Sequence, residues 1–268
     1  EASVGVTAIA PATMTLPVKE LEDILSAAAK YARKQDADRE IAERAGQVSK
    51  NSDAGSPCAD LVGINMEGPF ISRAKKGAQD AANIIPCDTE VCERFLEASG
   101  GLVKFIGIAP EECEGAVEFI ESVKDKVHVS LAHTNADYDT ANAAFQAGAD
   151  HAVHLYNAMS SFTHRMPGVI GAAADNEHVW AELICDGVHV HPAAVRTTFK
   201  MLGEDRIVLI SDSMRATGMP DGTYTLGGLD VNVKGNRATL ISDGALAGSV
   251  TNLTDCMRTV VKEMNIPL

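Results

Sequence analysis

Short apolar runs recur along this chain, each closed by polar or glycine-rich residues, and their spacing predicts strands alternating with helices. Residues 5–10 (GVTAIA), 61–66 (LVGINM), 102–109, 127–132, 151–155, 180–185 (WAELIC) and 206–211 (RIVLIS) read as strands. Helical spacing fills the intervals. Leu21, Ile24, Leu25 and Ala28 mark one face of a helix that starts at Pro17, a residue suited to a first helical turn. Residues 111–124, 138–146, 192–202 and 251–262 also read as helices, the last with Leu253, Met257 and Val261 on one side. Residues 34–60 are polar and charged, with Gly55, Ser56 and Pro57 near the end, which predicts an exposed helix tail and a mobile loop. Residues 223–241 alternate and carry glycine turns, the pattern of a small β-hairpin.

Strands joined by helical crossovers run parallel and need about a dozen or more residues per crossover, which these spacings allow. Seven such runs precede the hairpin, whereas a closed barrel needs eight. The expected fold is therefore α/β, a (β/α)8 TIM-type barrel lacking its first strand. It forms one domain over residues 1–268, with 223–241 as an excursion. The chain opens without methionine and within an apolar, strand-like run, which suggests either processing or missing N-terminal sequence.

Composition narrows the function. At 46% hydrophobic but only 4% aromatic, the interior must be built from Val, Ile, Leu and Ala, the filling of parallel sheets buried on both faces. A formal charge of −14 argues against a nucleic-acid surface, yet a local Arg or a helix N-terminus can still hold a phosphate. No run approaches the roughly 20 apolar residues of a membrane span, and no signal-peptide order opens the chain, so a cytoplasmic protein is expected. Six cysteines with neither a CxxC pair nor a zinc-ribbon spacing predict reduced, packed thiols.

Candidate chemistry gathers where strands end. Glu67, His133, His154, His189 and Asp212 follow five different apolar runs, which in a barrel would bring them to one rim. A lone histidine there is more often a structural hydrogen-bonder than a ligand. One carboxylate and two imidazoles from such a list form a mixed O and N set that suits Zn²⁺ or another borderline divalent ion, with a position left for water. Asp212 is then placed to act as a general base.

The runs GINMEGPFIS, KKGAQD, SLAHTNADY, HAVHLYNAMSSFTHRMPG, ICDGVHVHP and LISDSMRATGMPDGTY, in this order, resemble the N-acetylglucosamine-6-phosphate deacetylases, metal-dependent members of the amidohydrolase superfamily. The resemblance implies hydrolysis of the acetamide of N-acetylglucosamine 6-phosphate. It implies one divalent ion, zinc first and Fe, Co or Mn otherwise, on Glu67, His133 and His154, with Asp212 activating water and protonating the leaving amine. It assigns Asn157, Ala158 and Arg165 to the sugar phosphate, Arg165 across a homodimer interface, and His189 to the substrate. Gln79 stands where many relatives have a histidine that polarises the substrate carbonyl. An amide can donate there but cannot carry charge. The family's first barrel strand and its small β-sandwich have no counterpart in these residues. Two other expectations therefore stand beside the first: a barrel that binds a phosphosugar or partner subunit without catalysis, and a deacetylase of another N-acyl amino sugar.

Overall fold

The computed structural model describes residues 1–44 and 58–267. The loop expected to be mobile falls largely on residues 45–57, outside the described residues. Strand β1 (Ala8–Ile9) pairs in parallel with β2 (Asp60–Leu61), and between them runs helix α1 (Val18–Arg44), which buries Leu21, Leu25, Ala29 and Ala32 at helical spacing.

Six parallel strands follow in sequential order: β3 (Ile64–Phe70), β4 (Val103–Ile108), β5 (His128–Leu131), β6 (His151–Ala152), β7 (Trp180–Ile184) and β8 (Ile207–Ile210). Helices α2 (Thr89–Ser99), α3 (Ala116–Val123), α4 (Tyr138–Ala147), α5 (Gly168–Asp175) and α6 (Pro192–Leu202) occupy the crossovers. This is the wall of a (β/α) barrel. A parallel bridge from Ala12 to Asn65 sets the segment after β1 against the free side of β3. One continuous apolar cluster joins the strands to their helices, with Met66, Ile106, Ile108, Val129 and Leu183 buried against Phe95, Phe119 and Phe145.

Several elements differ from the sequence expectation, each for a local reason. The predicted helix over residues 111–124 is split into a 3-10 turn (Pro110–Glu112) and α3, because Gly115 between them has φ 72° and a left-handed residue cannot continue a helix. Helix α2 has a readable signal that the strand pattern overshadowed: Asp88 caps it by accepting from the Val91 N–H, and Gly100 closes it with φ 58°. Helix α5 is apolar nearly all round and carries no helical period to read. The predicted hairpin is a three-stranded antiparallel sheet, β9 (Gly222–Leu226), β10 (Leu229–Lys234) and β11 (Arg237–Leu240), with its own small core around Val231, Val233, Ala238 and Met214. Helix α7 (Leu253–Lys262) then returns to pack beside β8.

The expectation that all cysteines are reduced is corrected for one pair. Cys87 and Cys113 are 26 residues apart in sequence and joined by a disulfide. The loops after β3 and β4 are neighbours because their strands pair, and sequence spacing alone does not reveal that. Cys92, Cys185 and Cys256 are buried thiols whose pKa burial pushes up to about 12, as expected of inert packing groups.

Candidate active site

Glu67 lies within β3 rather than at its end, since pairing with β4 resumes at Phe70 after a register shift. The following Gly68 has φ 90°, and a Cβ there would fall 2.3 Å from Thr15 Oγ1, so only glycine fits. Thr15 Oγ1 in turn donates to the Glu67 carbonyl at 2.9 Å. The backbone is thereby fixed on both sides of the carboxylate.

His133 follows β5 and His154 follows β6. Their Nε2 atoms face each other at 3.2 Å, His133 Nε2 lies 2.7 Å from Glu67 Oε1, and His154 Nε2 lies 3.9 Å from Glu67 Oε2. Ligand atoms of the three residues all fall within 4.8 Å of one another. Both histidines are buried and Glu67 is nearly so. Two imidazole nitrogens and a carboxylate aimed at one point are a donor set that fits a divalent ion. The other ring nitrogen of His133 meets the Lys75 carbonyl at 2.8 Å, the anchoring usual for a metal-binding histidine. The corresponding nitrogen of His154 is buried with no partner among the described residues.

Charge states follow from this packing. Burial disfavours the ionised form of Glu67, but His133 outweighs it and draws the carboxyl down to about 2. Burial likewise opposes protonation of His133, and the carboxylate of Glu67 overcomes it, raising the pKa; His154 is lowered by burial and by His133. Asp212 stands after β8, only partly exposed. Loss of solvent and then the charge of Glu67 push its carboxyl up to about 7. A carboxyl poised there can both accept and return a proton near neutrality.

His189 and Asp186 form a closed unit. Asp186 accepts from the backbone N–H of Val188 and of His189 and pairs with His189 Nδ1 at 2.7 Å. Burial would raise the Asp186 pKa, but these bonds lower it. Nδ1 of His189 is committed, leaving Nε2 for other partners. Asn157 and Ala158 lie on the turn after His154, where Asn157 Nδ2 donates to the carbonyls of His154 and Leu155. Gln79 is buried. Its amide donates one N–H to Glu67 Oε1 at 2.6 Å and lies 3.9 Å from Met14 Sδ, and its carbonyl accepts the Thr15 N–H at 2.7 Å. Arg165 does not join the cluster in the single chain; it is exposed, with Nη1 2.6 Å from His164 Nε2.

Backbone strain marks the same rim. Among the described residues other than glycine, His133 (44°), His154 (32°), Tyr156 (79°), Ala158 (51°) and Asp212 (49°) have left-handed φ, and only Asn265 (55°) does so elsewhere. Each such residue costs about 1–3 kcal/mol, so the fold holds these side chains against a local preference. Sequence patterns do not report this. Asp186 stands in the DGVHVH run, but its pairing with His189 follows only from the turn geometry.

Residues 54–268 match the amidohydrolase family. The chain belongs to that family. The N-acetylglucosamine-6-phosphate deacetylase of Bacillus subtilis is 45% identical over 201 residues, covering 75% of this chain and 50% of that protein. The enzyme of the same name from Vibrio furnissii is 35% identical over all of this chain and 61% of its own length. Among solved structures, a variant of the Mycobacterium smegmatis N-acetyl-D-glucosamine-6-phosphate deacetylase in complex with N-acetyl-D-glucosamine-6-phosphate superposes with a TM-score of 0.84 at 33% identity, covering 98% of this chain and 63% of that one. This amidohydrolase chain thus spans about half to two thirds of the length of the relatives it matches. Among the described residues, no helix is long and apolar enough to cross a membrane.

Proposed function

We propose that this chain hydrolyses the acetamide of N-acetylglucosamine 6-phosphate, giving glucosamine 6-phosphate and acetate. The supporting observation is the convergence of Glu67, His133 and His154 on one point, with the Asp212 carboxyl within their electrostatic reach. These three residues hold a divalent ion, zinc by the chemistry of the donor set. When bound, the ion supplies Lewis acidity that polarises the carbonyl oxygen and acidifies water.

Asp212 takes a proton from the attacking water as oxygen bonds to the acetamide carbon. It returns that proton to nitrogen as the C–N bond breaks, so a neutral amine and acetic acid leave, and the acid loses its remaining proton to solvent to give acetate. Gln79 keeps Glu67 oriented through its amide. His189, fixed by Asp186, presents Nε2 to the sugar. Asn157 and Ala158 meet the phosphate, and Arg165 completes that contact in the site of a second copy of the chain, which accounts for its position outside its own cluster.

The test is acetate release by the zinc-loaded chain from N-acetylglucosamine 6-phosphate and from its unphosphorylated form. Efficient release is expected from the phosphorylated sugar alone. Asp212→Asn should keep its zinc and lose about 10²–10⁴-fold in turnover. Zinc without acetate release points instead to a non-catalytic barrel, and preference for the unphosphorylated sugar to another N-acyl substrate.

A further inference from the structure

One buried ionisable group in the sheet has no part in the chemistry above. Glu182, in the middle of β7, is buried, and its carboxylate contacts three neighbours. His151 Nε2 lies 3.0 Å from Oε1, the His154 backbone N–H donates to Oε2 at 3.3 Å, and Asn65 Nδ2 donates weakly to Oε1 at 3.5 Å. Placing a carboxylate inside the wall costs several kcal/mol unless it is well paired. Its location suggests what it does there.

β6 and β7 pair in regular register only at His151 with Trp180 and Ala152 with Ala181. The ladder is next met where the Leu155 N–H donates to the Glu182 carbonyl at 2.8 Å. The Val153 N–H still donates to the Leu131 carbonyl of β5 at 3.0 Å, and His154 forms an excursion between these points, with its left-handed φ. An excursion frees a buried N–H from the ladder, and such a donor must find another acceptor. The N–H of His154 finds the Glu182 side chain.

His133 and His154 differ in how their rings are held. The ring of His133 is anchored through Nδ1 on the Lys75 carbonyl, while Nδ1 of His154 meets no partner among the described residues. The direction in which His154 Nε2 points is therefore set from its backbone. We propose that Glu182 is a positioning residue that locks the strained backbone of His154 and so aims its Nε2 at the convergence point with Glu67 and His133. This rests on the reading of that point as a metal site. His151 occupies the other carboxylate oxygen, Oε1, and leaves Oε2 to the His154 N–H.

The experiment measures zinc affinity of the full chain by competition with a chromogenic chelator, which does not depend on activity. Glu182→Met keeps the volume and removes both acceptor oxygens. It should weaken zinc binding about 10–100-fold, as loss of an outer-shell partner does. Glu182→Gln keeps a single acceptor oxygen shared between His151 and the His154 N–H, and should fall between Glu182→Met and the parent chain. Adding His151→Phe to Glu182→Gln removes the competitor and should restore zinc binding to within about threefold of the parent, a rescue that a general loss of stability would not give. A folded Glu182→Met chain that binds zinc as tightly as the parent overturns the proposal, as does a double variant weaker than the Glu182→Gln single one. The second of these arms stands even where Glu182→Met does not fold. Failure of the parent chain itself to bind zinc overturns the metal reading instead, so the two failures are distinguishable.

Discussion

Asp212 is held in a state that is costly for the protein and useful for the proposed chemistry. Its folded pKa of about 7 exceeds that of an ordinary aspartate, so between roughly pH 4 and pH 7 the native state binds more protons than the unfolded chain. Stability from this residue therefore falls as pH rises through that window. Glu67 has the opposite sign: at about 2 its carboxyl is depressed, and the stability it contributes is present above about pH 4.5 and lost as pH falls toward 2. Replacing Asp212 with Asn removes a carboxylate repelled by Glu67. Without metal, Asp212→Asn should be more stable than the parent at pH 8 by on the order of 2 kcal/mol, and the difference should vanish below pH 4. Denaturant titrations in chelator at the two pH values check this; equal stability at pH 8 would show that the carboxyl is not strained.

At the scale of elements, the site depends on strands that depart from regular pairing. β3 bulges where Glu67 leaves the wall, and β6 is regular for only two residues before its turn delivers His154, Asn157 and Ala158. Gly68 is the hinge of the first departure. A methyl group at this position would meet Thr15 Oγ1 and would sit on a backbone with φ 90°. Gly68→Ala should cost about 1–3 kcal/mol in unfolding free energy and displace the Glu67 carboxylate with it. A variant with unchanged denaturation midpoint and unchanged zinc affinity would contradict the role given to this turn.

At the scale of the whole molecule, three donors separated by up to 87 residues meet only in the folded chain, so an ion that bridges them binds the native state alone. Zinc at about a thousandfold over its Kd should add about 4 kcal/mol to unfolding stability. The thermal midpoint should rise with zinc in the parent chain and stay level in Glu67→Gln. A parallel rise in both would place the ion elsewhere. The tertiary contacts also explain why the disulfide escaped the cysteine spacing: Cys87 and Cys113 belong to successive loops, and only the parallel pairing of β3 with β4 makes those loops adjacent.

The sequence by itself determined the alternation of strands and helices and the polar residues that close each strand. Both follow from local chemistry: apolar runs need burial, and Glu67, His133, His154 and Asp212 each interrupt or end one. It also carried enough motif to indicate the amidohydrolase family, to which residues 54–268 belong. Tertiary structure alone decided which of these residues meet and in what state. Gln79 donates to Glu67, Arg165 lies outside its own cluster, and Asp186 and Glu182 enter as supports because their partners are set by turns and neighbouring strands. Left-handed φ at His133, His154 and Asp212 is likewise imposed by long-range packing, against what those residues prefer on their own.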